Sequence, residues 1–171
     1  MPLAQPKWPR RLPAKLVLNI ATLGPIGRRL PAPGTWGSLA GLFYFLLFFR
    51  HASWVETVAV TLLVGYLAVG FTGEAERLIG RSDPGEVNLD EFVVMPLTLL
   101  GWRYGVLATF PEWAVGLAGF GLFRFYDVLK PLGISRLQSL PGGWGIMIDD
   151  FAAALAACAT LHLAAWLWTL R

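Results

Sequence analysis

Charge is scarce in this chain. Only 15% of its 171 residues are Asp, Glu, Lys or Arg, and 56% are apolar. An ordinary soluble domain carries roughly 25% charged residues. The shortage points to a protein that uses lipid as part of its solvent, with a very large soluble helical core as the alternative. Cysteine is nearly absent too. The single Cys158 excludes an intramolecular disulfide framework, and no cysteine–arginine phosphatase loop or P-loop lysine motif is present. There are two histidines, His51 and His162. Both are set in or beside apolar segments, away from the acidic clusters described below, so no histidine nucleophile or general base is expected. No stretch shows the strict apolar–polar alternation of a strand, and no internal repeat occurs. At this length one domain is expected.

What is present is apolar and interrupted. Residues 1–33 hold seven of the twelve prolines, together with Lys7, Arg10, Arg11, Lys15, Arg28 and Arg29. Proline at that density prevents a long helix, and no signal peptide is expected there. This basic, proline-rich segment suits anionic lipid headgroups, and residues 34–171 are expected to form one helical domain. Apolar segments follow at 36–49, 57–72, 92–101, 104–123 and 151–170, rich in Ala, Leu and Gly. Their pattern predicts an all-α, membrane-associated bundle of about four to five apolar helical segments. A span needs about 20 residues to cross roughly 30 Å of hydrocarbon, so 92–101 reads as a half-length piece paired with 104–123. Eight tryptophans fit interfacial aromatic belts. Threading the segments back and forth leaves Arg50, Arg103 and Arg171 on one side and the other eleven of the fourteen basic residues on the opposite, cytoplasmic one. Every acidic cluster falls on that cytoplasmic side as well.

Three polar clusters carry the chemistry. "SDPGEVNLDEF" (82–92) places Asp83, Glu86, Asp90 and Glu91 at a turn and a helix start. Acids cap helices, but four of them at a membrane boundary suit a cation. "FRFYDVLKP" (123–131) sets Arg124, Asp127 and Lys130 three apart on one helical face, either as ion pairs or as a carboxylate with two cations for phosphate. "PGGWGIMIDD" (141–150) runs from glycines able to cradle an anion into Asp149 and Asp150, with a helix expected to begin near Asp149. Hard carboxylates suit Mg²⁺ rather than Zn²⁺. A fourth stretch, "PAPGTWGSLAG" (31–41), adds the hydroxyls of Thr35 and Ser38 at a helix start.

Taken in order, "PGTWGSL", "DPGEVNLDE", "FRFYDVLKP" and "PGGWGIMIDD" resemble the four blocks of the phosphatidylglycerophosphatase A family over roughly residues 20–160. The sequence departs from the family pattern at Asn88, where an apolar residue is usual, at Ala154, often glycine, and at 132–134, where a second proline is missing. The resemblance implies an all-helical enzyme of the bacterial inner membrane, its site facing the cytoplasm. Such an enzyme uses Mg²⁺ to remove the terminal phosphate of phosphatidylglycerophosphate, leaving phosphatidylglycerol.

On that reading Asp83, Asp90, Glu91, Asp127, Asp149 and Asp150 are the candidate ligands for one or two Mg²⁺ ions. Arg124, Lys130, Thr35, Ser38, Gly142 and Gly143 are the candidates to receive the phosphate. Attack by water and an aspartyl-phosphate route both stay open. The expected partners are a phospholipid and the membrane, with no nucleic acid and no preference as to oligomeric state. Two alternatives compete. A phosphatidyltransferase would need a spaced D-G…A-R…G…D…D pattern that is absent. A divalent-cation carrier would need acids at mid-membrane depth, whereas these sit at segment ends.

Overall fold

The computed structural model describes residues 4–171 and is all-helical, with no strand among them. Seven α-helices are joined by short turns: α1 (Ala14–Ala21), α2 (Pro25–Arg29), α3 (Pro33–Phe48), α4 (Trp54–Ile79), α5 (Leu89–Thr98), α6 (Glu112–Leu129) and α7 (Gly143–Thr169). Single 3₁₀ turns precede α1, α6 and α7.

Local chemistry explains where the long helices start and stop. Ser53 and Glu56 close a reciprocal capping box at the start of α4: the Glu56 N–H donates to Ser53 Oγ at 3.2 Å, and the Ser53 N–H to Glu56 Oε2 at 2.7 Å. Gly80, in the left-handed region at φ 76°, ends that helix. α7 begins at Gly143, not near Asp149 as the sequence suggested. Glycine disfavours a helix by propensity. Here packing overrides it, because a Cβ on Gly143 would lie 2.7 Å from Thr72 Oγ1 and overlap the Val69 carbonyl of α4. The two aspartates therefore sit in the second turn of α7 and cap nothing.

The short α5 is the pivot. It packs against α3, α4, α6 and α7, and every residue from Leu89 to Thr98 except Phe92 is buried. α3 comes close enough through two glycines. A Cβ on Gly37 would lie 2.8 Å from the Asn88 carbonyl, and one on Gly41 would lie 2.8 Å from Met95 Cβ. Small residues of this kind let helix backbones approach where lipid supplies no hydrophobic drive. Below the first turn of α5 the core is apolar, with Phe45, Met95, Leu99, Leu107, Phe123 and Met147 fully buried.

Of the four to five apolar segments expected, only some are long enough to span. Two helices, α4 with 26 residues and α7 with 27, are long and apolar enough to cross a membrane. α3 has 16 residues, about 24 Å of rise, which falls short of the hydrocarbon thickness. α5 is shorter still, and α6 carries Glu112, Arg124 and Asp127. The outer faces are apolar all the same. Leu62, Leu63 and Tyr66 of α4 and Leu163, Trp166 and Leu167 of α7 are all more than half or about half exposed.

Candidate active site

Helix direction gathers the polar clusters at one end of the bundle. The N-termini of α3, α5 and α7 meet the C-terminus of α6 there. α5 contributes Asp90 and Glu91 from its first turn, α7 contributes Asp149 and Asp150, and α6 contributes Arg124, Asp127 and Lys130.

The six candidate carboxylates divide into a trio and three separately paired acids. Asp90, Glu91 and Asp150 are all buried, and each offers an oxygen within 4.8 Å of the others. Among the described residues the one ion pair to this trio comes from Arg124, whose Nη1 lies 3.6 Å from Glu91 Oε1. Burial drives the Asp90 carboxyl well above the ordinary carboxylate range, and the neighbouring charge of Glu91 adds to it. Glu91 is pushed up to about 7, again chiefly by burial. Asp90 Oδ1, Glu91 Oε2 and Asp150 Oδ2 are buried without a hydrogen-bond partner among the described residues. Native interiors leave few such atoms orphaned. Three convergent hard carboxylates, each with one unsatisfied buried oxygen, fit a divalent cation of the Mg²⁺ type, which takes oxygen ligands and keeps several waters.

Two of the other acids, Asp127 and Asp149, hold cations. Asp127 Oδ2 accepts a 2.6 Å hydrogen bond from Arg124 Nη1, and its Oδ1 lies 3.9 Å from Lys130 Nζ. Asp149 accepts from Lys130 Nζ. Burial works to lower the Lys130 pKa, but Asp149, Asp150 and Asp127 together raise it, so the ammonium is held charged. Lys130 also occupies the left-handed C-cap of α6, with φ at 43°, a position where glycine is usual. In that conformation its side chain reaches the buried Asp149. Asp83, exposed in its loop, accepts from Gln138 Nε2 at 2.9 Å and adds its charge to the Asp90 surroundings.

The remaining candidates separate. Ser38 is buried at the site and accepts from Arg124 Nη1 at 3.3 Å. Thr35 is exposed one turn earlier. Gly142 and Gly143 face Gln5, not open space: the Gly143 N–H donates to Gln5 Oε1 at 2.9 Å, while Gln5 Nε2 donates to the Val69 carbonyl. His51 lies beside Arg103, and His162 beside Cys158 and Gly101, both outside the acidic site.

Four contributors escape sequence reasoning. A Cβ on Gly34 would lie 3.1 Å from Arg124 Nη1 and overlap Glu91 Oε1, so that glycine makes room for the site. Its "PGT" setting was the available signal. Asn88, wholly buried, donates through Nδ2 to the Pro33 carbonyl at 3.0 Å and leaves Oδ1 unpartnered beside the trio's helix. Its only signal was that it breaks an apolar pattern. Gln138 and Gln5 gave none, since lone neutral amides carry no spacing rule.

Every one of the acids and cations just described lies within residues 19–165, which the family model of phosphatidylglycerophosphatase A matches. The chain belongs to the phosphatidylglycerophosphatase A family. Phosphatidylglycerophosphatase A of Haemophilus influenzae is 38% identical over 130 residues, covering 74% of this chain and 75% of that protein. Phosphatidylglycerophosphatase A of Escherichia coli is 34% identical over 140 residues, covering 81% and 77%. A Bacteroides thetaiotaomicron protein, provisionally named a phosphatidylinositol-3-phosphatase, is 32% identical over 146 residues, covering 79% and 84%. No solved structure matches the chain. As a phosphatidylglycerophosphatase A family member the protein is a phosphatase.

Proposed function

We propose that this protein is a Mg²⁺-dependent membrane phosphatase that hydrolyses phosphatidylglycerophosphate to phosphatidylglycerol and inorganic phosphate, working at the cytoplasmic face of a bacterial inner membrane. The observation that carries the reading is the buried trio of Asp90, Glu91 and Asp150, with its orphaned oxygens, set beside the Arg124 and Lys130 cations. The names of two relatives support the substrate.

In this reading Asp90, Glu91 and Asp150 hold the cation. The chemistry it supplies is Lewis-acid polarisation of the phosphoryl oxygens and a lowered pKa for the attacking water. Lys130 and Arg124 bind the terminal phosphate and take up charge as it departs. Asp149 and Asp127 hold those two side chains in place, so little reorganisation accompanies the reaction. Unaided hydrolysis of a phosphate monoester is among the slowest of biological reactions, which accounts for so much charge in so apolar a protein. The membrane reading rests on α4, α7 and their exposed apolar faces.

Purified protein is expected to release phosphate from phosphatidylglycerophosphate, to stop on exhaustive chelation with EDTA, and to recover when Mg²⁺ is added back. Full activity after chelation overturns the metal part of the proposal. Faster turnover of phosphatidylinositol 3-phosphate overturns the substrate.

Orientation has its own test. Gly85 is exposed with open space around it, and Ser53 lies at the other end of α4. In a Cys158→Ala background, Gly85→Cys is expected to resist a membrane-impermeant thiol reagent in intact cells, while Ser53→Cys is labelled. The reverse pattern places the site on the outer face.

A further inference from the structure

The end of the bundle away from the acidic site holds a second polar cluster. Arg50 follows α3, Arg103 lies between α5 and α6, and Glu112 opens α6. The 18 residues of α6 separate Glu112 from Lys130, about 27 Å of helix rise. Glu112 is shared: its Oε2 lies 2.6 Å from Arg50 Nη2 and its Oε1 lies 3.8 Å from Arg103 Nε. Arg103 Nη1 also meets His51 Nδ1 at 2.8 Å. A guanidinium only donates, so Nδ1 is the acceptor and the imidazole adds no second carboxylate-like charge. Two guanidinium groups thus face one carboxylate, an excess of one positive charge.

That excess borders a cavity of about 290 Å³ lined by Arg50, His51, Trp54, Trp102, Arg103 and Tyr104. Trp54 and Tyr104 are well exposed at its rim, 63% and 58%, as aromatics are where lipid meets water. Basic residues are rare at this end: Arg50, Arg103 and Arg171 are the only three of fourteen that fall there in the threading above. Two of those three, 53 positions apart in sequence, converge on one cavity.

We infer that this cavity binds the headgroup of an anionic phospholipid, with Arg50 and Arg103 on its phosphodiester. Arginine forks suit phosphate oxygens, and a phosphodiester carries the single negative charge that the cluster lacks. Inorganic phosphate brings more charge than is needed and leaves the aromatic rim unused. A zwitterionic choline lipid sets a cation against the arginines. The preferred ligand is therefore chemically the class of lipid that the proposed reaction produces, held on the opposite face from where it is made.

The inference rests on the membrane reading above, which recovery of the protein in the membrane fraction tests by itself. For the site, native mass spectrometry of the detergent-purified chain is run with phosphatidylglycerol, with phosphatidylcholine of the same acyl chains, or with inorganic phosphate. Wild type is expected to retain phosphatidylglycerol selectively. The R50Q/R103Q double variant is expected to retain about tenfold less or lower still, because each charge-assisted contact contributes about that factor or more, at unchanged phosphatase turnover. Glu112→Gln, which removes the competing carboxylate, is expected to raise retention, and it keeps the test open if the double variant does not fold. Equal retention by wild type and both variants, equal retention of phosphatidylcholine, or displacement of the lipid by inorganic phosphate overturns the inference.

Discussion

Asp150→Asn is expected to lower phosphate release by about 10²–10³-fold and to raise the Mg²⁺ concentration needed for half-maximal rate. Asp149→Asn is expected to cost less, about 10–100-fold, with the Mg²⁺ requirement unchanged. The two residues are neighbours in sequence but point about 100° apart on a helix. Asp150 joins Asp90 and Glu91, whereas Asp149 turns to Lys130. Thermal denaturation separates lost chemistry from lost folding. Asparagine at 150 removes one of three crowded buried acids, so without metal the variant should melt no lower than wild type. Steady-state rates at graded Mg²⁺ for the two folded variants decide the assignment. Equal Mg²⁺ requirements in both would detach Asp150 from the cation.

Lys130→Ala is the second large effect, expected at about 10²–10³-fold in turnover. If Lys130 merely paired with acids on a solvated face, its loss would matter little, since exposed pairs contribute about 0–1 kcal/mol. It is largely buried, however, with a side chain 19% exposed. Removing it strands Asp149, while Asp127 keeps Arg124, and breaking a buried pair costs about 3–5 kcal/mol. A fall in turnover through instability alone is therefore distinguished by the double variant Lys130→Ala/Asp149→Asn. That variant deletes the stranded charge, so stability should return while turnover stays low. Recovery of turnover along with stability would make Lys130 a structural residue.

Much of this was written in the chain, and the gaps have physical causes. The apolar segments at 36–49, 57–72 and 104–123 correspond to α3, α4 and α6, yet the helices run on: α4 to Ile79 and α6 to Leu129. Hydropathy marks where lipid contact ends, not where hydrogen bonding does. Glu74, for example, continues α4 as a buried acid held by Arg10 at 3.2 Å and Arg77 at 2.6 Å. The start of α7 was misplaced for a related reason. Gly-Gly-Trp-Gly reads as a loop by propensity, but contact between Gly143 and α4 decides in favour of helix. Reading 36–49 as a crossing erred because apolar composition does not report length, and α3 is too short; α5 is half-length, as its segment suggested.

The site was legible as a set of residues, not as an arrangement. The six candidate carboxylates lie near one end, as spacing and charge bias implied. Nothing in the sequence says that Asp90 and Glu91 of one helix meet Asp150 of another 59 positions away. That meeting follows from α5 being buried among four neighbours, whereas the Arg124–Asp127 pair is local, three positions apart on α6, and was one of the two readings the spacing offered. Asn88 and Gly34 illustrate the same point, since both matter for what approaches them across the bundle.

The claim that Asp90, Glu91 and Asp150 hold a divalent cation is tested most directly with Mn²⁺, which shares the preference of Mg²⁺ for octahedral oxygen and is visible by electron paramagnetic resonance. Purified wild-type protein, stripped of metal and titrated with Mn²⁺, is expected to bind it saturably, to release it to excess Mg²⁺, and to lose that binding in Asp150→Asn but keep it in Asp149→Asn. Mn²⁺ bound equally well by Asp150→Asn and wild type would contradict the account.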